Sequence, residues 1–369
     1  MLQKFKAFFR SNKRLFLALL LGLLSLLVYK LVKDAVTLTE VFGWLRLWKY
    51  LSLILILVCL YSLFLKGKRV VFANLTLIVL LLFLVETTLF FVLGMPPAYM
   101  KDFSVPDFPE DHMVRQVGAF YWPDSIYRDV KVTGNDTVFD VHYTIDHFNK
   151  RTTPGYDSSK TDYALFFGCS IGFGYGLEDN QTLAYQVQQQ SSNTNAYNFC
   201  ISATGTNHML ALLQYRDLSE QVAEKNGCAY YIFFWDHLYR SIGTMHRYTE
   251  WLNTAPYYEM QQKKLVRNKS FKDGRPFISG WYERLYQTNI VKYFKTDLPL
   301  KLNESHFDLV TEMVLESKKA YEKQFGNDRF YLVFYPSYVA YTPDEMRIFK
   351  AYLTRKKIKF IDLSTEIVY

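Results

Sequence analysis

The stretch FFGCSIGFGYGLEDNQTL, Phe166 to Leu183, sets one hydroxyl nucleophile, Ser170, at the mouth of a glycine-spaced turn. The apolar run DYALFFG before it fits a buried strand. EDNQTLAYQVQQQ after it can open a helix near Asp179 or Asn180. Strand, small-residue turn, serine and helix together lift a nucleophile off the end of a parallel sheet. A serine hydroxyl attacks only when a base takes its proton, and acyl transfer builds an oxyanion that nearby donors must meet. Candidates recur where later strands end, at Ser202 to Asn207 and at Asp236 to Arg240, with the imidazoles of His208 and His237 close by. The cysteines are Cys59, Cys169, Cys200 and Cys228, and their spacing matches no zinc pattern. No metal and no cofactor is expected. Cys169 and Cys200 end strands that should be neighbours. A disulfide between adjacent parallel strands is geometrically awkward, so buried free thiols are the expectation.

These blocks resemble the SGNH hydrolases, also called the GDSL family. FGCSIGFGYGLEDNQT carries the match, with Gly168 and Ser170 in place and Cys169 where that family has Asp. YNFCISATGTNHML and YYIFFWDHLYRS supply the second and third blocks, and the resemblance spans residues 162–363. It implies ester hydrolysis or O-acyl transfer through Ser170. It also implies oxyanion donors at the Ser170 N–H, at a second-block glycine that falls on Ala203, and at an asparagine that falls on Trp235 or Asp236. Neither of those is Asn, and His237 is the alternative donor. The family's base is a histidine three residues after an aspartate, beyond the fifth strand. KIKFIDL is followed only by STEIVY, so a natural chain continuing past Tyr369 is expected, with His208 and His237 as the other imidazoles near the strand ends. Two readings stay open. One is a membrane-anchored serine esterase or acyl transferase acting outside the cytoplasm on an acylated glycan, lipid or cell-wall substrate. The other is a non-catalytic SGNH-like domain that binds, or helps assemble, a membrane complex.

The elements that must position these residues follow an alternating pattern. Near-continuous apolar strands are predicted at 162–168, 195–201, 229–235, 329–336 and 357–363. Helices are predicted near 180–190, 206–225, 305–325 and 343–355. Such alternation implies a doubly wound, mainly parallel five-stranded α/β sheet with sites beyond the strands' carboxyl ends. Residues 241–304 interrupt the pattern as an insertion, a lid or substrate wall whose aromatics pack within it or stack on sugars. Residues 99–160 form a linker and an N-terminal extension, and 161–369 the main domain.

Residues 1–98 are expected to be a membrane region. Three apolar segments, 15–32, 50–65 and 70–94, are long enough to span. The first hundred residues hold 12 Lys/Arg and 3 Asp/Glu, against a formal charge of +8 for the whole chain. The basic excess is therefore a topology signal and excludes a nucleic-acid-binding surface. It places the N-terminus in the cytoplasm and the main domain outside, as in a multi-pass protein of a bacterial inner membrane, with the lipid bilayer as partner. Trp44, Trp48 and Tyr50 read as interfacial anchors. Glu86 reads either as a functional carboxyl or as a partner-bonded structural one.

Overall fold

The computed structural model describes residues 18–27, 39–63, 69–93, 117, 121–134, 136–337 and 339–365. The chain folds as two units. One is Met1–Ser104 with Gln287–Thr296; the other is Val105–Tyr286 with Asp297–Tyr369.

The first unit contains a helical stretch at 18–27, helix α1 (Thr39–Leu63) and helix α2 (Arg69–Leu93). Among the described residues no helix is long and apolar enough to cross a membrane. The three-span architecture, and the multi-pass inner-membrane localisation drawn from it, are corrected accordingly. A span needs roughly 20 predominantly apolar residues in one helix. In the first stretch the described helical residues are 18–27. Helix α1 begins eleven residues before Tyr50 and takes Glu40, Arg46 and Lys49 into its early turns. In α2 the unbroken apolar run is Leu77 to Val85, between Thr76 and Glu86. The basic residues before Leu15, the KGKR loop up to Lys68 and the GMPPAYM segment lie outside the described residues, as does the side chain of Trp44.

Polar side chains do the joining inside this unit. Trp48 donates its indole N–H to Ser25 Oγ at 2.6 Å, and Ser25 and Ser52 share a hydroxyl contact of 2.8 Å. Trp48 is thus a helix-packing donor. Glu86 is buried. Its carboxylate accepts the backbone N–H of Asn289 at 2.8 Å and of Ile290 at 3.1 Å, and its carbonyl accepts the Asn289 side-chain amide at 3.1 Å. Glu86 is therefore the partner-bonded carboxyl of the two expectations. It caps the short helix Asn289–Tyr293, whose first amides have no acceptor within the helix.

The second unit is built on a parallel sheet. Its strands are β3 (Asp162–Phe167), β4 (Thr194–Asn198), β5 (Asn226–Phe233), β8 (Phe330–Phe334) and β9 (Lys359–Asp362), in the order β4-β3-β5-β8-β9. Every neighbouring pair is parallel. The predicted strands fall on these five, and in β3, β5 and β8 coverage on both faces goes with a nearly unbroken apolar run. Five of the six residues of β3 are buried. The connecting helices are α3 (Ser170–Phe173), α4 (Leu183–Gln190), α5 (Thr206–Tyr215) and α6 (Asp236–Ile242), then α7 (Pro276–Tyr286), α8 (Glu304–Phe325) and α9 (Pro343–Arg355). The chain steps from β3 to β4 on one side and then to β5 on the other. The sheet therefore reverses direction at the carboxyl ends of β3 and β5, where a crevice forms in such sheets.

Two antiparallel hairpins form two-stranded sheets of their own. β1 (Ser125–Thr133) pairs with β2 (Asp136–Ile145) in the N-terminal extension. β6 (Pro256–Gln261) pairs with β7 (Lys264–Ser270) inside the insertion.

Candidate functional site

Ser170 is the first residue of α3, three residues beyond the end of β3. The turn that carries it is compressed. A Cβ on Gly168 would lie 3.0 Å from the Ile232 carbonyl oxygen of β5, and one on Gly172 would lie 2.5 Å from Cys200 Sγ. Only glycine lets the backbone approach so closely at these two points. The turn ends at Gly174, in the left-handed region at φ 84°.

Arg151 clamps the turn from below. It is 1% exposed. Its Nη1 donates to the carbonyls of Phe173 (2.7 Å) and Gly174 (2.8 Å), its Nη2 to Leu177 (2.6 Å), and its Nε to Asp179 (3.0 Å). The guanidinium also lies over the rings of Tyr143 and Phe173, 4.6 and 4.7 Å from their centroids. Burial pulls its pKa below the usual guanidinium value, and the Asp179 charge works against that. Asn198, at the end of β4, adds side-chain bonds to the carbonyls of Gly172 and Phe173.

The second block closes over the same turn. Ile201 donates its N–H to the Gly168 carbonyl at 3.1 Å, and the Thr204 hydroxyl reaches the same oxygen at 3.3 Å. Ala203 sits at φ 64°, where a β-carbon is strained and glycine is preferred. Its carbonyl is held by the Trp251 indole N–H at 3.1 Å. The sheet thus brings the loop of Ala203 to the serine turn through the Gly168 carbonyl.

The third block is organised differently from what the resemblance implies. Asp236 is buried and spent on two arginines: Arg240 Nε at 2.7 Å, and Arg247 through Nη2 at 2.8 Å and Nε at 3.0 Å. Arg240 also donates to the Thr204 carbonyl at 3.0 Å, so the pair ties the third block to the second. His237 is fully buried. Its Nδ1 lies 2.9 Å from Tyr231 Oη, its ring stacks on Tyr231 at 5.4 Å, and Tyr231 also bonds Thr206 at 2.8 Å. Burial, with Arg240 nearby, pushes the His237 pKa well below its usual range. His208 is engaged at Nδ1 by the Gly205 N–H at 3.2 Å. Burial, then Arg240 and Arg267, bring its pKa down to about 3. Both rings are neutral at pH 7 and turned to their own neighbours. Ser170 Oγ lies 3.9 Å from Cys169 Sγ.

All four cysteines are free, with Cys169 and Cys200 buried. Burial, and then Cys169, raise the Cys200 thiol well above its usual value, which leaves it protonated and unreactive. Among the described residues no group of three His, Cys, Asp or Glu side chains could hold a metal ion. Arg151, Asn198, Arg247 and Trp251 have no counterpart among the residues singled out from sequence. The Asp236–Arg240 spacing of i, i+4 is the one signal that announced part of this network. No family model matches the chain, and no curated protein matches it.

Proposed function

We propose that the α/β unit handles acyl esters through Ser170, as an SGNH-type ester hydrolase or O-acyl transferase. The supporting observation is the placement of Ser170 in a glycine-compressed, Arg151-clamped turn at the reversal point of the sheet, where substrates meet such sheets. In this reading Ser170 Oγ attacks the acyl carbonyl and gives up its proton to a solvent water in the crevice, which later returns a proton to the leaving alcohol. The Ser170 N–H, which has no intrahelical acceptor at the first turn of α3, and the Ala203 N–H meet the oxyanion. The carbon–oxygen bond to the alcohol then breaks, the alcohol leaves with a proton, and water or an acceptor hydroxyl takes the acyl group from the serine. An acylated glycan, lipid or cell-wall polymer is the substrate class. Asp236, His237 and His208 serve the framework in this reading and do not supply the base.

A second reading, a binding domain without turnover, is favoured by that same engagement of Asp236 by Arg240 and Arg247. One experiment separates the two. The 369-residue chain and its Ser170→Ala variant are treated with a fluorophosphonate probe and with a short-chain chromogenic ester. Probe labelling confined to Ser170, with ester turnover several orders of magnitude below that of a complete serine–histidine site, is expected. No labelling supports the binding reading. Labelling that survives Ser170→Ala overturns the assignment of the nucleophile.

A further inference from the structure

Helix α7 carries large apolar side chains on its outward face. Its inward face mixes Tyr282, packed on the buried cluster of Tyr248 and Phe271, with polar groups. Ser279 is 2% exposed and donates its hydroxyl to the Phe271 carbonyl at 2.8 Å, and Glu283 accepts the Tyr248 hydroxyl at 2.8 Å. Its outward face carries Phe277, 77% exposed, Ile278, 45% exposed, and Trp281, 47% exposed. The Phe277 and Trp281 rings lie 6.4 Å apart, one helical turn along the same stripe. The stripe ends on Arg284, whose guanidinium lies 5.9 Å over the Trp281 ring. An ordinary surface helix turns charged and polar residues outward instead.

Charge identifies what this face meets. Residues 263–286 hold seven Lys/Arg and two Asp/Glu. Of the two acids, Glu283 is turned inward and Asp273 is engaged by Ser270. Lys263, Lys264, Lys269, Lys272 and Arg284 are exposed. Area points the same way. An 11-residue helix is about 16 Å long, and one stripe of it falls far short of the ~800 Å² per partner of a stable protein interface. A few aromatic side chains beside cations do suffice at the headgroup level of an anionic bilayer.

We propose that α7 is a peripheral docking surface for an anionic lipid headgroup layer, with Phe277, Ile278 and Trp281 entering the interface and Arg284 and Lys272 meeting the headgroups. The test uses the full chain with vesicles of equal phosphatidylglycerol and phosphatidylcholine, and with phosphatidylcholine alone, each carrying brominated acyl chains. The deciding quantity is the share of tryptophan quenching that disappears in Trp281→Phe. A clear Trp281 share on anionic vesicles, small on neutral ones and reduced by salt, is expected. Phe277→Ser with Trp281→Ser should weaken partitioning about tenfold or more, and Phe277→Ser alone less. Quenching that is the same in Trp281→Phe, or a Trp281 share as large on neutral vesicles, overturns the proposal. So does a vesicle-free oligomer of the native chain that the double substitution converts to monomer, because a second copy would then be the occupant.

Discussion

Removing the Arg151 guanidinium would leave Asp179 without its cation, the Leu177 carbonyl without its Arg151 donor, and the Phe173 and Gly174 carbonyls with only Asn198 and the Leu177 N–H. Breaking a buried charge pair by deleting one partner costs about 3–5 kcal/mol. Arg151→Ala should lower the denaturation midpoint accordingly, and Arg151→Lys should recover only part of it, since one ammonium cannot reach every acceptor. An unchanged midpoint in Arg151→Ala would remove the clamp from the account. The two buried imidazoles make a pH prediction. Their folded pKa values lie below the unfolded value near 6.5, to about 3 for His208. The unfolded chain therefore binds protons that the folded one refuses. Stability is intact above pH 6.5 and falls on acidification toward pH 3, by about 1.4 kcal/mol per pH unit for each ring. Urea midpoints measured across that window should flatten by one proton's worth in His208→Gln; an unaltered slope would contradict the assignment. The place of Ser170 at the end of a strand was legible in the sequence because strand, glycine turn and helix announce it locally. Arg151 was not, since it stands in a mixed segment and its partners are mostly backbone carbonyls, which carry no residue signature.

At the scale of elements, β3, β5 and β8 were readable because each carries a nearly continuous apolar run, whereas β4, TNAYN, and the edge strand β9, KFID with Ile361 40% exposed, were found only through the apolar residues beside them in sequence. The β6–β7 hairpin was not readable. β7 is KLVRNKS, with no apolar alternation and mostly half-buried residues, so its strand character comes from pairing alone. Packing between the serine turn and β4 gives a sharper test. Gly172→Ala drives a methyl into Cys200 Sγ and should cost about 1–3 kcal/mol. Cys200→Ala opens room at that sulfur, so the double variant should be more stable than the sum of the single losses. Strict additivity in denaturant unfolding would show that the two sites do not touch.

At the scale of the whole molecule, the largest correction to the sequence reading concerns residues 1–98. Apolar runs there looked continuous in one dimension, but the helices take in polar turns at their ends and Glu86 is committed to a segment some 200 residues later. Glu86→Ala should therefore free the amides of Asn289 and Ile290. Hydrogen bonds to a charged group are worth about 1.5–3 kcal/mol, so native-state exchange at those two amides should accelerate roughly ten- to hundredfold. Exchange rates matching the native chain would show that the carboxylate does not hold the segment. The same contact sets an order of events during synthesis. Glu86 is translated 203 residues before the amide it receives, which at typical elongation rates of about 5–20 residues per second is a wait of roughly 10–40 s. The nascent first unit must stand for that interval with its carboxylate still hydrated, and it closes only after β3, β4 and β5 have been made and before β8 and β9 have. Completion of one unit is thus a clock for the other, and a ribosome stalled between residues 104 and 287 would hold a protein with neither unit finished.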